Sequence, residues 1–302
     1  VAGWYLTGRK GFRQALGRIA EIPLDTISLE KTHYAPYASR LRDGISAYRS
    51  LPWRECSLTA SDGVLLKARY CSQGANRTVI LIHGYHAVPE NNFPTLASAL
   101  FSAGYDLFVP FLRAHGDSGG DYCTFGPQER DDLFCWLKKL QQESPEQELF
   151  LYGVSMGAHI AALCGPDLGR YPVRAMVLDC GFVNEYREIR HRTPPLFPPF
   201  RSFVVFSIYA YAKLFHGFDL KRGDAIIPLS HTTTPVFVIH GTADTIVPFS
   251  ENAPQLLAAA GGVKRFRYLE GAEHNECMLA GGPELEREIL DFFQTCSQNN
   301  SH

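Results

Sequence analysis

The period of the apolar positions changes along the chain, and the changes mark out its organisation. In the first fifty residues Phe12, Leu16 and Ile19 recur at about one helical turn among polar neighbours, which predicts an amphipathic helix packed on the body. From about Trp53 the pattern turns to short extended runs. Residues 56–59 and 65–70, joined through Ser61-Asp62-Gly63, predict an antiparallel hairpin. Near-continuous apolar runs follow at 78–82, 106–110, 149–152, 175–179 and 235–241, with a further short strand at 264–269, interleaved with helical stretches near 93–103, 127–142, 158–163 and 252–260. Strands that are apolar on both faces belong to a parallel sheet covered on both sides, so the expected class is α/β. Sites in such sheets gather at the carboxyl ends of the strands.

One interval breaks the alternation. About fifty residues separate Cys180 from Thr234, and they hold the proline-rich run from Thr193 to Phe200 and an apolar helix candidate at 201–215. Phe203, Val204, Phe206, Ile208, Tyr209, Tyr211, Leu214 and Phe215 are too many apolar residues for one stripe, which is read in two ways: some of them face a pocket or a membrane, or the helix is simply packed on the core. An insertion at this point lies over the site as a cap. The expected organisation is therefore an N-terminal helical segment, 1–52, and one domain, 53–302, with a cap insertion at about 182–232.

The chemistry is concentrated in Gly153-Val154-Ser155-Met156-Gly157, which follows an apolar strand and opens a small-residue helix. A strand that feeds a helix through G-x-S-x-G is a nucleophile elbow, and its glycines allow the strand and helix backbones to pass closely. Ser155 is the candidate nucleophile. A serine hydroxyl needs a base to take its proton and an acid to orient that base. Asp244 follows the strand at 235–241, and His274 follows the strand at 264–269. Asp179 is a rival for the acid, but it leads into the cap. The strand at 79–82 ends in His83-Gly84-Tyr85-His86, where backbone N–H groups can face an oxyanion, so the hole is assigned to the amides of Tyr85 and Met156. His83 is read as a turn-stabilising histidine. His86, Phe182, Phe206 and Tyr209 are assigned to substrate binding.

Composition narrows the partners. A net charge of −2 and the absence of a basic, aromatic-interleaved patch exclude electrostatic nucleic-acid binding. No metal-ligand cluster, phosphate-binding loop or dinucleotide fingerprint is present, and the chemistry calls for no metal or organic cofactor. The eight cysteines show no C-x-x-C spacing and fall within strands and helices, which points to buried thiols in a reducing compartment. The stretch Val1 to Leu6, followed by Arg9, Lys10, Arg13 and Arg18, is read in two ways. It is the end of a removed signal or membrane anchor with its basic flank, or a plain amphipathic helix. The expected location is accordingly cytoplasmic or membrane-associated through the N-terminus.

His83-Gly84-Tyr85, Arg113 to Ser118, Gly153 to Gly157, Asp179 to Phe182, His240 to Asp244 and Glu273-His274 stand in one order along the chain. In that order, which covers about 54–295, the chain resembles the α/β-hydrolase superfamily, and within it the bacterial BEM46-like and serine aminopeptidase-like hydrolases. The resemblance implies an α/β-hydrolase fold and a Ser155, Asp244, His274 triad, with Arg113 and Asp117 bracing a loop near the site. The expected activity is cleavage of esters of small to medium apolar acyl groups through an acyl-enzyme. A peptidase or acyltransferase with the same triad is the alternative, although no acidic cluster for a free amino terminus stands out. A non-catalytic binding protein on the same fold is the third reading.

Overall fold

A computed structural model of the chain describes residues 2–193 and 198–298. The eight strands are β1 (Arg54–Thr59), β2 (Leu65–Cys71), β3 (Arg77–Ile82), β4 (Asp106–Pro110), β5 (Glu148–Val154), β6 (Val173–Asp179), β7 (Val236–Gly241) and β8 (Lys264–Leu269). They form one sheet in the order β1-β2-β4-β3-β5-β6-β7-β8. Only the β1–β2 and β2–β4 pairs are antiparallel; from β4 to β8 every pair is parallel. This is the α/β-hydrolase fold, as the apolar runs and motifs predict.

The covering helices are α1 (Ala2–Leu16), α2 (Ala38–Ser50), α3 (Pro89–Asn92), α4 (Leu96–Ser102), α5 (Pro127–Glu143), α6 (Met156–Leu163), α7 (Glu185–Arg192), α8 (Pro198–Phe215), α9 (Ile226–Ser230), α10 (Phe249–Ala259) and α11 (Cys277–Gln298). Alternation along β3 shows how the two faces are served. Ile80 and Ile82 join a core with Phe12, Leu16, Trp136, Ile160 and Ile208, whereas Val79 and Leu81 join one with Phe93, Leu100, Ile289 and Phe293. Successive side chains of a strand point to opposite faces, so a central strand must be apolar throughout. Edge strands are not so constrained: in β1 and β8 exposed positions alternate with covered ones.

Two expectations need correction. The helix near 93–103 begins only at Leu96, as α4: Phe93, held out of the helical region by the proline that follows it, has φ −121° and ψ 38°, and the short α3 lies before it. The N-terminal helix ends at Leu16. Phe12 and Leu16 are buried as predicted, but Ile19 lies beyond the helix end and is exposed. The proline-rich turn at Pro194 to Pro199 lies mostly outside the described residues. The cap interval holds α7, α8 and α9. Asn184 starts α7 by accepting the Arg187 N–H at 3.1 Å, and Arg190, His191 and Arg192 complement the helix dipole in its last turn. The described residues contain no disulfide.

Candidate active site

The elbow is built by two close approaches. A Cβ on Gly153 would lie 2.3 Å from the Gly157 carbonyl oxygen, and one on Gly157 would lie 2.0 Å from the Ile82 carbonyl oxygen. Both contacts are with backbone, so only glycine fits. Ser155 between them has φ +54°, and its N–H donates to the Asp179 carbonyl at 2.8 Å. A residue other than glycine in this region is strained, and here the strain lifts the hydroxyl off the strand end.

Ser155 Oγ is 3.0 Å from His274 Nε2, and His274 Nδ1 is 2.7 Å from Asp244 Oδ2. The loops that carry the acid and the base are tied together at their roots. A Cβ on Gly241 would lie 2.2 Å from the Ala272 carbonyl oxygen, and that same carbonyl accepts the Ala243 N–H at 3.0 Å. Asp244 Oδ1 takes the N–H groups of Ile246 and Val247 at 3.0 and 2.8 Å. Burial raises the Asp244 pKa, but hydrogen bonding from His240 and His274 outweighs it and holds the carboxyl well below its ordinary range. His240 Nε2 stands 3.3 Å from Asp244 Oδ2, a contact the sequence reading missed although H-G-T-A-D spans both residues. Asp179 goes elsewhere: its Oδ2 accepts the Tyr152 hydroxyl at 2.7 Å. Cys180 Sγ lies within 4.8 Å of a ligand atom of each of Asp244 and His274, which are hydrogen-bonded to each other.

The loop after β3 lies against the elbow, since a Cβ on Gly84 would be 3.4 Å from Ser155 Cβ. Its amides are fixed on both sides of Tyr85. Gly84 N–H donates to Asn92 Oδ1 at 2.7 Å, and His86 N–H donates to His115 Nε2 at 3.0 Å. The Tyr85 N–H between them and the Met156 N–H, first in α6, are the two amides assigned to the hole, and a first-turn N–H has no partner within its own helix. His83 spans the turn as read, with Nδ1 2.8 Å from the Gly84 carbonyl and Nε2 accepting the Leu112 N–H at 3.1 Å. Burial, with the neighbouring His115 adding to it, pushes His83 down to about 3; burial pushes His115 down to about 4. Both are therefore neutral acceptors at ordinary pH. Arg113 braces the following loop through Asp132, at 2.7 and 2.6 Å, and Asp62 at 2.9 Å. Asp117 is exposed; Ser118 Oγ is the second brace, donating to the Phe111 carbonyl at 2.6 Å.

A cavity of about 380 Å³ shares Tyr85 with the loop against Ser155, while Ser155, Met156 and His274 are not in its wall. His86, Phe125, Ile189 and Arg192 line it, together with Gly11 and Ala15 of α1 and Val204 and Ile208 of α8. Of the residues assigned to substrate, only His86 is in this wall. Phe206 is 55% exposed on the outer side of α8, because the turn that presents Val204 and Ile208 inward carries it outward. Tyr209 packs edge-on to Tyr186 with Lys221 over its ring. Phe182 is buried behind the wall, stacked on His159 at 4.3 Å. Sequence reasoning missed Arg192 and the whole α1 contribution. Arg192 sits over the Tyr85 ring at 5.1 Å, and Tyr85 donates its hydroxyl to the Ala15 carbonyl at 2.7 Å.

The family model described as serine aminopeptidase, S33, matches residues 73–208. The uncharacterized protein YqkD of Bacillus subtilis is 25% identical over 74% of this chain and 72% of its own length. A lysophosphatidylserine lipase of Danio rerio is 27% identical over 68% of this chain and 53% of its own, so the chain spans about half the length of that relative. Among solved structures, an esterase of Pyrococcus furiosus superposes with a TM-score of 0.66 over 92% of this chain and 98% of that one, at 21% identity.

Proposed function

We propose that this chain, which has the α/β-hydrolase fold, is a serine hydrolase that cleaves carboxylic esters of small to medium apolar acyl groups. The observation that carries the reading is the continuous bridge at His274, 3.0 Å from Ser155 Oγ on one side and 2.7 Å from Asp244 Oδ2 on the other. His274 takes the serine proton as Oγ attacks the ester carbonyl, while Asp244 orients the ring and stabilises the imidazolium. The amides of Tyr85 and Met156 hold the oxyanion, at roughly 3 kcal/mol for each donor. His274 then gives its proton to the leaving alcohol. Water, deprotonated by the same ring, releases the acid and returns the proton to Ser155.

The cavity supports the choice of acyl group. Phe125, Ile189, Val204 and Ile208 offer an apolar surface suited to an acyl chain, beside the polar groups of Gln14, His86, Arg192 and Thr193. A second reading concerns the alcohol part. Arg192 brings a guanidinium to the cavity wall, which suits an ester whose leaving group carries an anion, as in a lysophospholipid. The name of the Danio rerio relative is in line with that class.

Turnover of p-nitrophenyl esters from acetate to palmitate, by the wild type beside Ser155→Ala, tests the reading. Serine-dependent turnover that peaks at short or medium chains is expected. No turnover with any ester, alongside turnover of an amide or aminopeptide, would move the assignment to a peptidase.

A further inference from the structure

Helix α8 carries more apolar surface than its packing uses. Val205, Ile208 and Ala212 are buried in the body, and Ser207 and Tyr211 meet α1. Phe200, Phe203, Phe206 and Leu214 fall on the remaining face and are 53, 40, 55 and 68% exposed. On α1, Leu6 is 61% exposed. Isolated apolar residues on a surface are ordinary, but several large ones on two adjoining helices form a patch.

The two helices act as one unit. A Cβ on Gly8 would lie 2.5 Å from the Ser207 carbonyl oxygen, and one on Gly11 would lie 2.7 Å from Ile208 Cγ1, so at these two positions α1 can approach α8 closely only because it carries no side chain of its own. The Tyr5 ring adds contacts to Tyr211 and Phe215 at 5.7 and 5.3 Å. Charge on the pair is one-sided. The helices hold Arg9, Lys10, Arg13, Arg201 and Lys213 and no aspartate or glutamate, within a chain of net charge −2. Lys213 is paired with Asp219 at 2.9 Å, whereas Arg9, Lys10 and Arg13 are exposed on α1. Beneath the pair lies the cavity, walled by Gly11 and Ala15 from one helix and Val204 and Ile208 from the other.

We propose that the outward face of the α1–α8 pair docks on an anionic lipid surface and holds the cavity beneath it toward the lipid. The first clause stands on the patch and its charge alone; the second rests on the hydrolase reading. Aromatic and aliphatic side chains flanked by cations and free of acids match a bilayer interface with anionic headgroups. A second copy of the chain fits poorly, because a two-fold contact would set these cations against their own copies. Among the described residues no helix is long and apolar enough to cross a membrane.

The test is co-sedimentation of the 302-residue protein with vesicles of phosphatidylcholine alone and of phosphatidylcholine mixed with phosphatidylglycerol. Binding to the mixed vesicles is expected, weakening as salt rises. Phe203→Ser with Leu214→Ser, and separately Arg9→Glu with Lys10→Glu, should each weaken that binding by roughly tenfold or more while p-nitrophenyl butyrate turnover stays within about twofold. Ser155→Ala should bind vesicles like the wild type. The proposal is overturned if the protein stays in the supernatant with mixed vesicles, or if neither pair of substitutions weakens binding. A wild-type dimer that the Phe203/Leu214 variant cannot form would also overturn it, since a second copy would then be the occupant. Vesicle binding without any ester turnover supports the docking face and counts against the hydrolase reading alone.

Discussion

Asn92 Nδ2 donates to Asn275 Oδ1 at 3.1 Å, and Asn92 Oδ1 accepts the Gly84 N–H at 2.7 Å. One side chain thus joins the loop that carries the candidate oxyanion amide to the loop that carries His274. Asn275 itself has φ +63°, a conformation that asparagine tolerates better than most residues. Asn92→Ala should lower kcat roughly 10- to 100-fold with little change in KM, because a misplacement of about 1 Å in a catalytic group is felt mainly in the transition state. An unchanged kcat with a raised KM would show that Asn92 serves substrate binding instead.

Two aspartates compete for the acid role, and the distances separate them. Asp244 Oδ2 is 2.7 Å from His274 Nδ1, whereas Asp179 Oδ2 takes the Tyr152 hydroxyl. Asp244→Asn should lower kcat by about 10⁴, the size of effect expected when the base is left in the wrong tautomer. Asp179→Asn should retain kcat within about tenfold and act mainly on stability, as the loss of a buried hydrogen bond does. Equal losses in the two variants would contradict this division.

Glu188, in α7, gives the fold a pH dependence. Burial pushes its carboxyl up from 4.5 to about 7; Arg192, 3.9 Å away, pulls it down and Asp244 pushes it up. Because the folded state holds this proton more tightly than the unfolded chain, stability is full below pH 4.5, falls as pH rises, and levels off above about 7. Glu188→Gln removes the titration. The variant should be more stable than the wild type at pH 8, by up to about 3 kcal/mol, with the gap closing toward pH 4 in urea titrations. A gap that widens toward low pH would reverse the sign and refute the assignment.

Gly157 and Gly169 make a matched pair for packing. The Ile82 carbonyl stands where a Cβ on Gly157 would go, while nothing lies within 4 Å of one on Gly169. Gly157→Ala should cost about 3 kcal/mol or more, since backbone rather than a side-chain tip must move. Gly169→Ala should stay within about 0.5 kcal/mol of the wild type. Chemical denaturation of both proteins gives the comparison.

The central sheet was legible because burial on both faces forces runs such as Val236 to Ile239 to be apolar throughout, and β8 was bounded correctly at Lys264 and Leu269. Ser155, Asp244 and His274 could be singled out as candidates because each follows the end of a strand, and the structure brings their side chains within hydrogen-bond distance of one another. The wall of the cavity was not. Gly8 and Gly11 make the α1–α8 contact through the absence of side chains, so no apolar stripe advertises it. On α8 nearly every position is apolar, and nothing in the order of residues says that Val204 and Ile208 face the cavity while Phe206 faces solvent. Asn92 and Arg192 gain their places from long-range packing, Asn92 through Asn275 far along the chain and Arg192 through the Tyr85 ring, and neither lies in a motif.

The most direct test of the account is reaction with a fluorophosphonate, followed by mass spectrometry of the labelled peptide and repeated with His274→Ala. The account predicts one label, on Ser155, forming at a rate that falls by about 10³ or more when His274 is removed. No label, a label on another serine, or a Ser155 label whose rate ignores His274 would contradict it.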